Sequence, residues 1–188
     1  MTTGGAATAD VSVYWPDAFT TDRLRATPLC NDDAGLFAAL YADAPTMAQV
    51  AAPLAPAATA RAFSAALRQM RRLPPVARYW RLDEGGVALG LLSLVADADR
   101  RTAETGLLLG GAGRARGVAR EALVALLPQV LCPGGLEAVW TRHRTGHGAA
   151  AGLMRHLRFE DMTGEPGWVR WQMTAGRWQK LAAEAGRV

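Results

Sequence analysis

The chain has 188 residues and a mass of 20.0 kDa, with 50% hydrophobic and 20% charged residues, the composition of one folded domain rather than of a disordered segment. Its longest mainly apolar stretch, residues 86–96, falls well short of the roughly 20 residues that a membrane-spanning helix requires. The net charge of +4 rests almost wholly on arginine scattered along the chain, with no basic run interleaved with stacking aromatics, which argues against a nucleic-acid binder.

In chain order, residues 1–20 read as a loose tail without the basic region and apolar core of a signal sequence, and the expected location is cytoplasmic. A single domain is expected over residues 21–178, followed by a C-terminal tail over 179–188. Cys30 and Cys132 are too few and too isolated for a disulfide framework or a metal site, and both are expected to be buried packing residues. Residues 21–29 alternate as a strand does and close on Pro28, and Asn31, Asp32 and Asp33 then supply helix-capping side chains. Residues 44–56, rich in Ala and Pro, predict a loop. Phe63, Leu67 and Met70 share one face of a second helix.

Residues 78–82 and 86–95, divided by the turn-forming Asp83-Glu84-Gly85, predict an antiparallel hairpin, and residues 103–109 a third strand. After Gly110, Gly111 and Gly113, the spacing of Ala119, Leu123, Leu126, Leu127 and Val130 predicts a helix whose last turn carries Pro128. Residues 136–143 read as a strand, Ala149, Leu153 and Leu157 as one face of a short helix, and residues 168–174 as a closing strand. The fold class is α/β (α+β), with hairpins around a strand, loop, helix and strand unit.

That central unit is a physically sound place for a phosphate, because unpaired N–H groups at a helix start converge where the macrodipole is positive. Small residues at Gly117 and Ala119 let a diphosphate approach the main chain, and Arg114 and Arg116 offer fork-shaped cationic donors at the rim. No Gly-Lys-Ser/Thr follows, so the segment is not a Walker loop. The six tryptophans read as core or sheet-face packing, with an acceptor pocket as the alternative.

Arg114, Gly117 and Ala119 match the Gln/Arg-x-x-Gly-x-Gly/Ala coenzyme A signature, and here the chain resembles the GCN5-related N-acetyltransferases (GNAT). Arg23-Leu24 with Pro28-Leu29, Glu121-Ala122-Leu123, and Leu157 with Phe159 resemble elements of the ribosomal-protein-alanine acetyltransferase branch, so the likeness spans residues 21–178. It implies a mixed, mostly antiparallel sheet of about six to seven strands flanked by about four helices. It also implies acetyl-CoA as cofactor, no metal, a small-molecule or peptide amine as acceptor, and a monomer or homodimer. The backbone of Arg114, Ala115, Arg116, Gly117, Val118 and Ala119 would hold the diphosphate. The chain departs from the pattern at His147, Ala150, Met154 and Arg158.

Acyl transfer to an amine needs a neutral amine, a stabiliser for the oxyanion and a proton for the departing thiolate. The resemblance makes Glu104 the candidate general base and puts the N–H of Leu108 or Leu109 against the thioester carbonyl. Met154 stands where the family often has a tyrosine acid, so His147, at a helix start that lowers its pKa, is the candidate acid or a cofactor contact. Solvent is the other proton source. Two rival readings remain: a coenzyme A binder that no longer catalyses, and an arginine-rich nucleic-acid binder.

Overall fold

In the computed structural model, which describes residues 15–131, 135–162 and 164–185, the alternating segments join one eight-stranded sheet. Its strands are β1 (Phe19–Thr20), β2 (Arg25–Pro28), β3 (Ala77–Glu84), β4 (Val87–Ala96), β5 (Thr102–Leu109), β6 (Ala138–Arg144), β7 (Glu160–Met162) and β8 (Trp168–Thr174). They lie in the order β1-β2-β3-β4-β5-β6-β8-β7, and every neighbouring pair is antiparallel except β5 with β6. A parallel step requires a long crossover, which the helix between those two strands supplies.

The helices are α1 (Ala34–Ala42), α2 (Ala44–Met47), α3 (Pro56–Met70), α4 (Val118–Val130), α5 (Gly148–His156) and α6 (Ala175–Ala185). Because strand side chains alternate, the sheet buries two separate clusters. On one face Leu126, Leu127 and Val130 of α4 pack with Trp80, Leu92, Leu94, Val139 and Met173. On the other, Phe37 and Leu40 of α1 and Ala66 and Leu67 of α3 pack with Leu91 and Tyr79. Among the described residues no helix is long and apolar enough to cross a membrane.

The mixed, mostly antiparallel sheet matches the expected class and is larger at both edges. Of the tail expected over residues 1–20, residues 1–14 lie outside the described residues, whereas Trp15 and Phe19 are buried and Phe19 meets Trp80 edge-on at 5.8 Å. At the other end residues 179–185 continue α6, whose Trp178 and Leu181 lean on the main core, rather than forming a tail. The loop expected over 44–56 begins with the short α2, capped by the Asp43 carboxylate on the N–H of Thr46 at 2.9 Å. Cys30 is exposed, since its position follows the buried Leu29 and precedes the helical turn; Cys132 lies outside the described residues. The hairpin turns at Gly85 and Gly86, whose φ angles of 58° and 85° favour glycine, so β3 extends to Glu84.

Leu82 pairs with Gly90 but Asp83 with Ala88, so β4 carries one extra residue, Leu89, as a bulge. Beside it a Cβ on Gly90 would sit 2.1 Å from the Leu108 carbonyl oxygen, a distance no side chain tolerates. Gly90→Ala should therefore lower unfolding stability by more than about 3 kcal/mol in urea titration. Gly35→Ala, in α1 with nothing within 4 Å of the added carbon, should be neutral or gain up to about 1 kcal/mol.

Candidate functional site

The turn after β5 is held tightly against the bulge in β4. Gly110 donates its N–H to the Leu89 carbonyl at 2.9 Å, and Gly111–Gly113 then close a single 3₁₀ turn. A Cβ on Gly113 would stand 2.9 Å from the same Leu89 oxygen, which fixes glycine there. Ala115 and Gly117 adopt φ angles of 57° and 76°, and Gly117 becomes the residue before the first turn of α4. The N–H of Glu121 bonds the Gly117 carbonyl at 3.0 Å. By helix geometry the N–H groups of Val118, Ala119 and Arg120 ahead of it have no carbonyl to meet within α4.

Arg114 and Arg116, expected as anion donors at the rim, hydrogen-bond around the turn. Arg114 donates to the Leu109 carbonyl (3.0 Å), Thr46 Oγ1 (2.6 Å) and Asp43 Oδ2 (3.2 Å). Arg116 donates to the Ala112 carbonyl (3.0 Å) and Glu84 Oε2 (2.5 Å). These bonds to carbonyls and carboxylates brace the turn, and leave Nη1 of Arg114 and Nε of Arg116 without a partner among them. Arg23 completes the brace: it donates to Glu121 Oε2 from Nε at 3.0 Å and Nη2 at 2.5 Å, and to the Arg116 carbonyl at 3.2 Å. Burial works against the Glu121 carboxylate, but the hydrogen bonds from Thr21 and Arg23 outweigh it and hold its pKa below the usual glutamate value.

Next to this turn the sheet opens. The parallel ladder between β5 and β6 joins Thr102 to Ala138, Ala103 to Val139 and Glu104 to Trp140, and goes no further, while β5 stays paired to β4 as far as Leu109. The phase of the β4 ladder is set at both ends, by Asp97 N–H on the Thr102 carbonyl and Gly110 N–H on the Leu89 carbonyl, each at 2.9 Å. Alternation then turns the amides of Glu104, Gly106 and Leu108 toward β4, and those of Leu107 and Leu109 toward the gap beside β6. Of the two expected carbonyl contacts, Leu108 thus has its amide inside the ladder, and only Leu109 faces the gap. Leu107, not anticipated from the sequence, faces it too. The signal was the parity of β5 relative to its hairpin partner, which needs the register to be readable.

Glu104 projects from the face opposite α4. Its Oε1 lies 3.5 Å from Arg142 Nε, and the side chain is 36% exposed. Burial raises its pKa above the ordinary carboxylate value; Arg142 pulls it down, Asp97 adds to the rise, and Arg170 again lowers it. Tyr79 lies close enough on this face for its own pKa to be raised by burial and then by the Glu104 charge.

His147 occupies the other face, beside a cavity of about 270 Å³ lined by His143, His147, Ala151, Arg155, Asp161 and Trp171. The Trp171 indole can only donate, and it donates to His143 Nε2 at 2.9 Å, so the ring hydrogen of His143 sits on Nδ1, directed at the Arg144 carbonyl at 2.9 Å. The rings of His143 and His147 stand 5.9 Å apart, edge to face. Burial first, and then His143, push the His147 pKa below the ordinary imidazole value. At neutral pH it is an uncharged ring, a poor proton donor. Glu104 and His147 are therefore not brought together but lie on opposite sides of the gap, and Met154 is buried in the core. Among the described residues no group of three His, Cys, Asp or Glu side chains gathers to hold a metal.

Residues 23–160 match the family model described as an acetyltransferase (GNAT) domain. No curated protein sequence matches the chain. Solved structures share its fold at low identity. The spermidine N-acetyltransferase from Vibrio cholerae, in complex with CoA and spermine, aligns with a TM-score of 0.71 at 14% identity over 85% of this chain and 99% of that one. The Salmonella typhimurium acetyltransferase that modifies the N-terminal serine of ribosomal protein L7/L12 gives 0.69 at 13%, over 82% and 96%. The microcin C7 self-immunity acetyltransferase, in complex with acetyl-CoA and AMP, gives 0.72 at 14%, over 88% and 99%.

Because Glu121 is stabilised as a carboxylate only when folded, Glu121→Gln should cost no more than about 1 kcal/mol at pH 7 in chemical denaturation. A carboxylate whose folded pKa is depressed stabilises above its unfolded pKa and loses that effect as pH falls through the folded value. The difference between wild type and variant should accordingly persist at neutral pH and close on acidification below the usual glutamate range.

Proposed function

The chain belongs to the GNAT acetyltransferase family, and from that premise we propose that it moves the acetyl group of acetyl-CoA to a primary amine by direct attack on the thioester. One observation carries the reading: two sets of main-chain N–H groups without secondary-structure partners, at Val118 to Arg120 and at Leu107 and Leu109, border one opening in the sheet. The first set suits a diphosphate, because it combines directional donors with the positive end of a helix dipole and small residues that admit close approach. The second suits the amide and carbonyl oxygens of a pantetheine arm lying along an unpaired strand edge. The bound CoA and acetyl-CoA in the named fold relatives support the same choice of cofactor.

When bound, acetyl-CoA supplies the activated acetyl group. Glu104 accepts a proton from the acceptor ammonium, either directly or through water, and its raised pKa brings the carboxylate closer to that of the amine it must relieve. As the amine nitrogen bonds to the carbonyl carbon, the N–H of Leu107 or Leu109 meets the charge growing on oxygen. Collapse to products would leave CoA as a thiolate and release the second proton of the attacking nitrogen, which would pass through solvent to the sulfur. His147, neutral and half-buried at the α5 side of the gap, acts in this reading as a contact for the cofactor arm.

Acetyl-CoA at a hundred times its Kd should stabilise the fold by about 2.7 kcal/mol, seen as a rise in Tm; an unshifted melting curve at saturation contradicts the reading. Turnover is followed as free CoA against a panel of primary amines. Binding without turnover of any of them leaves the non-catalytic CoA binder as the correct description.

For an amine that is turned over, Glu104→Gln should lower kcat by roughly a hundredfold or more. It should also remove the acidic limb of the kcat/KM profile, whose midpoint lies above the usual carboxylate pKa, since the base is lost as pH falls through its folded value. His147→Ala should raise the KM for acetyl-CoA and change kcat by less than about fivefold.

A further inference from the structure

The acceptor side of the sheet carries an arrangement that the cofactor chemistry does not use. Where β5 leaves off, the even-numbered positions of β6 and β8 share a face with Glu104: Trp140, Arg142 and Arg144 on one strand, Trp168 and Arg170 on the other. Glu104 is opposite Trp140, Arg142 opposite Arg170, and Arg144 opposite Trp168. The Arg170 guanidinium stacks 4.1 Å over the Trp140 ring, while Arg142 and Arg144 each lie 5.1 Å from the centre of Trp168. Between them is a hollow of about 220 Å³, lined by Trp140, Arg142, Glu165, Trp168 and Arg170.

A guanidinium stacked on an indole uses its π face and keeps its N–H donors free in the plane, where they match a carboxylate. Arg142 spends part of its charge on Glu104. Among the described residues Arg144 and Arg170 have no carboxylate within 4.0 Å, and Glu165, although it lines the hollow, pairs with neither of them. The face thus offers one base and then, along the strands, two cations on aromatic platforms without a close ion-pair partner among the described residues. A polycationic acceptor would place its second charge on those arginines.

Resting on the acetyltransferase reading above, we propose that the acceptor is the amino-terminal segment of a polypeptide with acidic side chains at its second and third residues. Its α-amine would lie at Glu104 and its carboxylates at Arg170 and Arg144. The dimensions agree: at about 3.3 Å per residue, Arg144 lies roughly 13 Å along β6 from the position opposite Glu104, within reach of a side chain on the second or third residue of an extended peptide.

The test compares kcat/KM for the free-amine tripeptides Ala-Glu-Glu, Ala-Gln-Gln and Ala-Lys-Lys, each amidated at its C-terminus, together with spermidine and free glutamate. The acidic tripeptide should exceed the neutral one by about tenfold, as expected for a charge-assisted contact at the half-buried Arg170 and a weaker one at the exposed Arg144. The order should continue through the lysine peptide to spermidine. Arg144→Gln with Arg170→Gln should bring the acidic-to-neutral ratio near one, Arg170→Glu should favour the lysine peptide, and Arg→Lys at both positions should retain most of the preference, which separates lost charge from lost fold.

Equal or reversed preference in the wild type, a ratio indifferent to the Arg→Gln changes, or better turnover of free glutamate than of Ala-Glu-Glu would overturn the proposal. Quenching of tryptophan fluorescence by Ala-Glu-Glu in the CoA-saturated protein gives a readout that needs no turnover. If that peptide binds in an arginine-dependent way and no amine is acetylated, transferase activity fails while the acidic-peptide site stands.

Discussion

The ladder between β5 and β6 ends after three residue pairs, and the rest of the site follows from that interruption. A strand edge left unpaired inside a sheet exposes amides at a cost that burial normally forbids, unless a ligand or water can satisfy them. In this chain the exposed amides belong to Leu107 and Leu109, and the same opening is bordered by the first turn of α4. In the function proposed here the backbone carries the cofactor chemistry, and the side chains around it keep that backbone in place.

This division of labour explains the behaviour of the arginines. Arg23, Arg114 and Arg116 surround the turn yet direct their donors at carbonyls and at Asp43, Glu84 and Glu121. A diphosphate held by main-chain groups needs those groups in one fixed orientation before it arrives, since binding energy spent on ordering a glycine-rich loop is lost to affinity. The brace also links the turn between β1 and β2 to α4 and the end of β3, so the glycine-rich turn is tied to segments distant in sequence. On the acceptor side the arginines do something else: Arg144 and Arg170 rest on indole rings with their donors uncommitted.

Much of the fold was legible from period alone. The hairpin, the strand before the glycine-rich turn, the amphipathic α4 and the closing β8 all follow from spacing, because each buries one face. The edges were not legible: β1 has two residues and β7 three, too short for a period, and Trp15 and Phe19 sit in a stretch whose small polar start masks them. The α4 turn was found through Gly117 and Ala119, which the chemistry restricts to small residues. That the amides of Leu107 and Leu109, and not that of Leu108, face the gap was not legible, because amide direction depends on register with β4. The acceptor face was encoded in plain alternation, Trp140-x-Arg142-x-Arg144 against Trp168-x-Arg170, but its meaning requires knowing that β6 and β8 are antiparallel neighbours.

In the proposed function the main chain grips coenzyme A at two places. Amide chemical shifts, recorded in a ¹⁵N-labelled sample during titration with CoA, test it residue by residue. The largest changes should fall at Val118, Ala119, Arg120, Leu107 and Leu109, with Leu108 much less affected. Saturable CoA binding that leaves those five amides unmoved would contradict it.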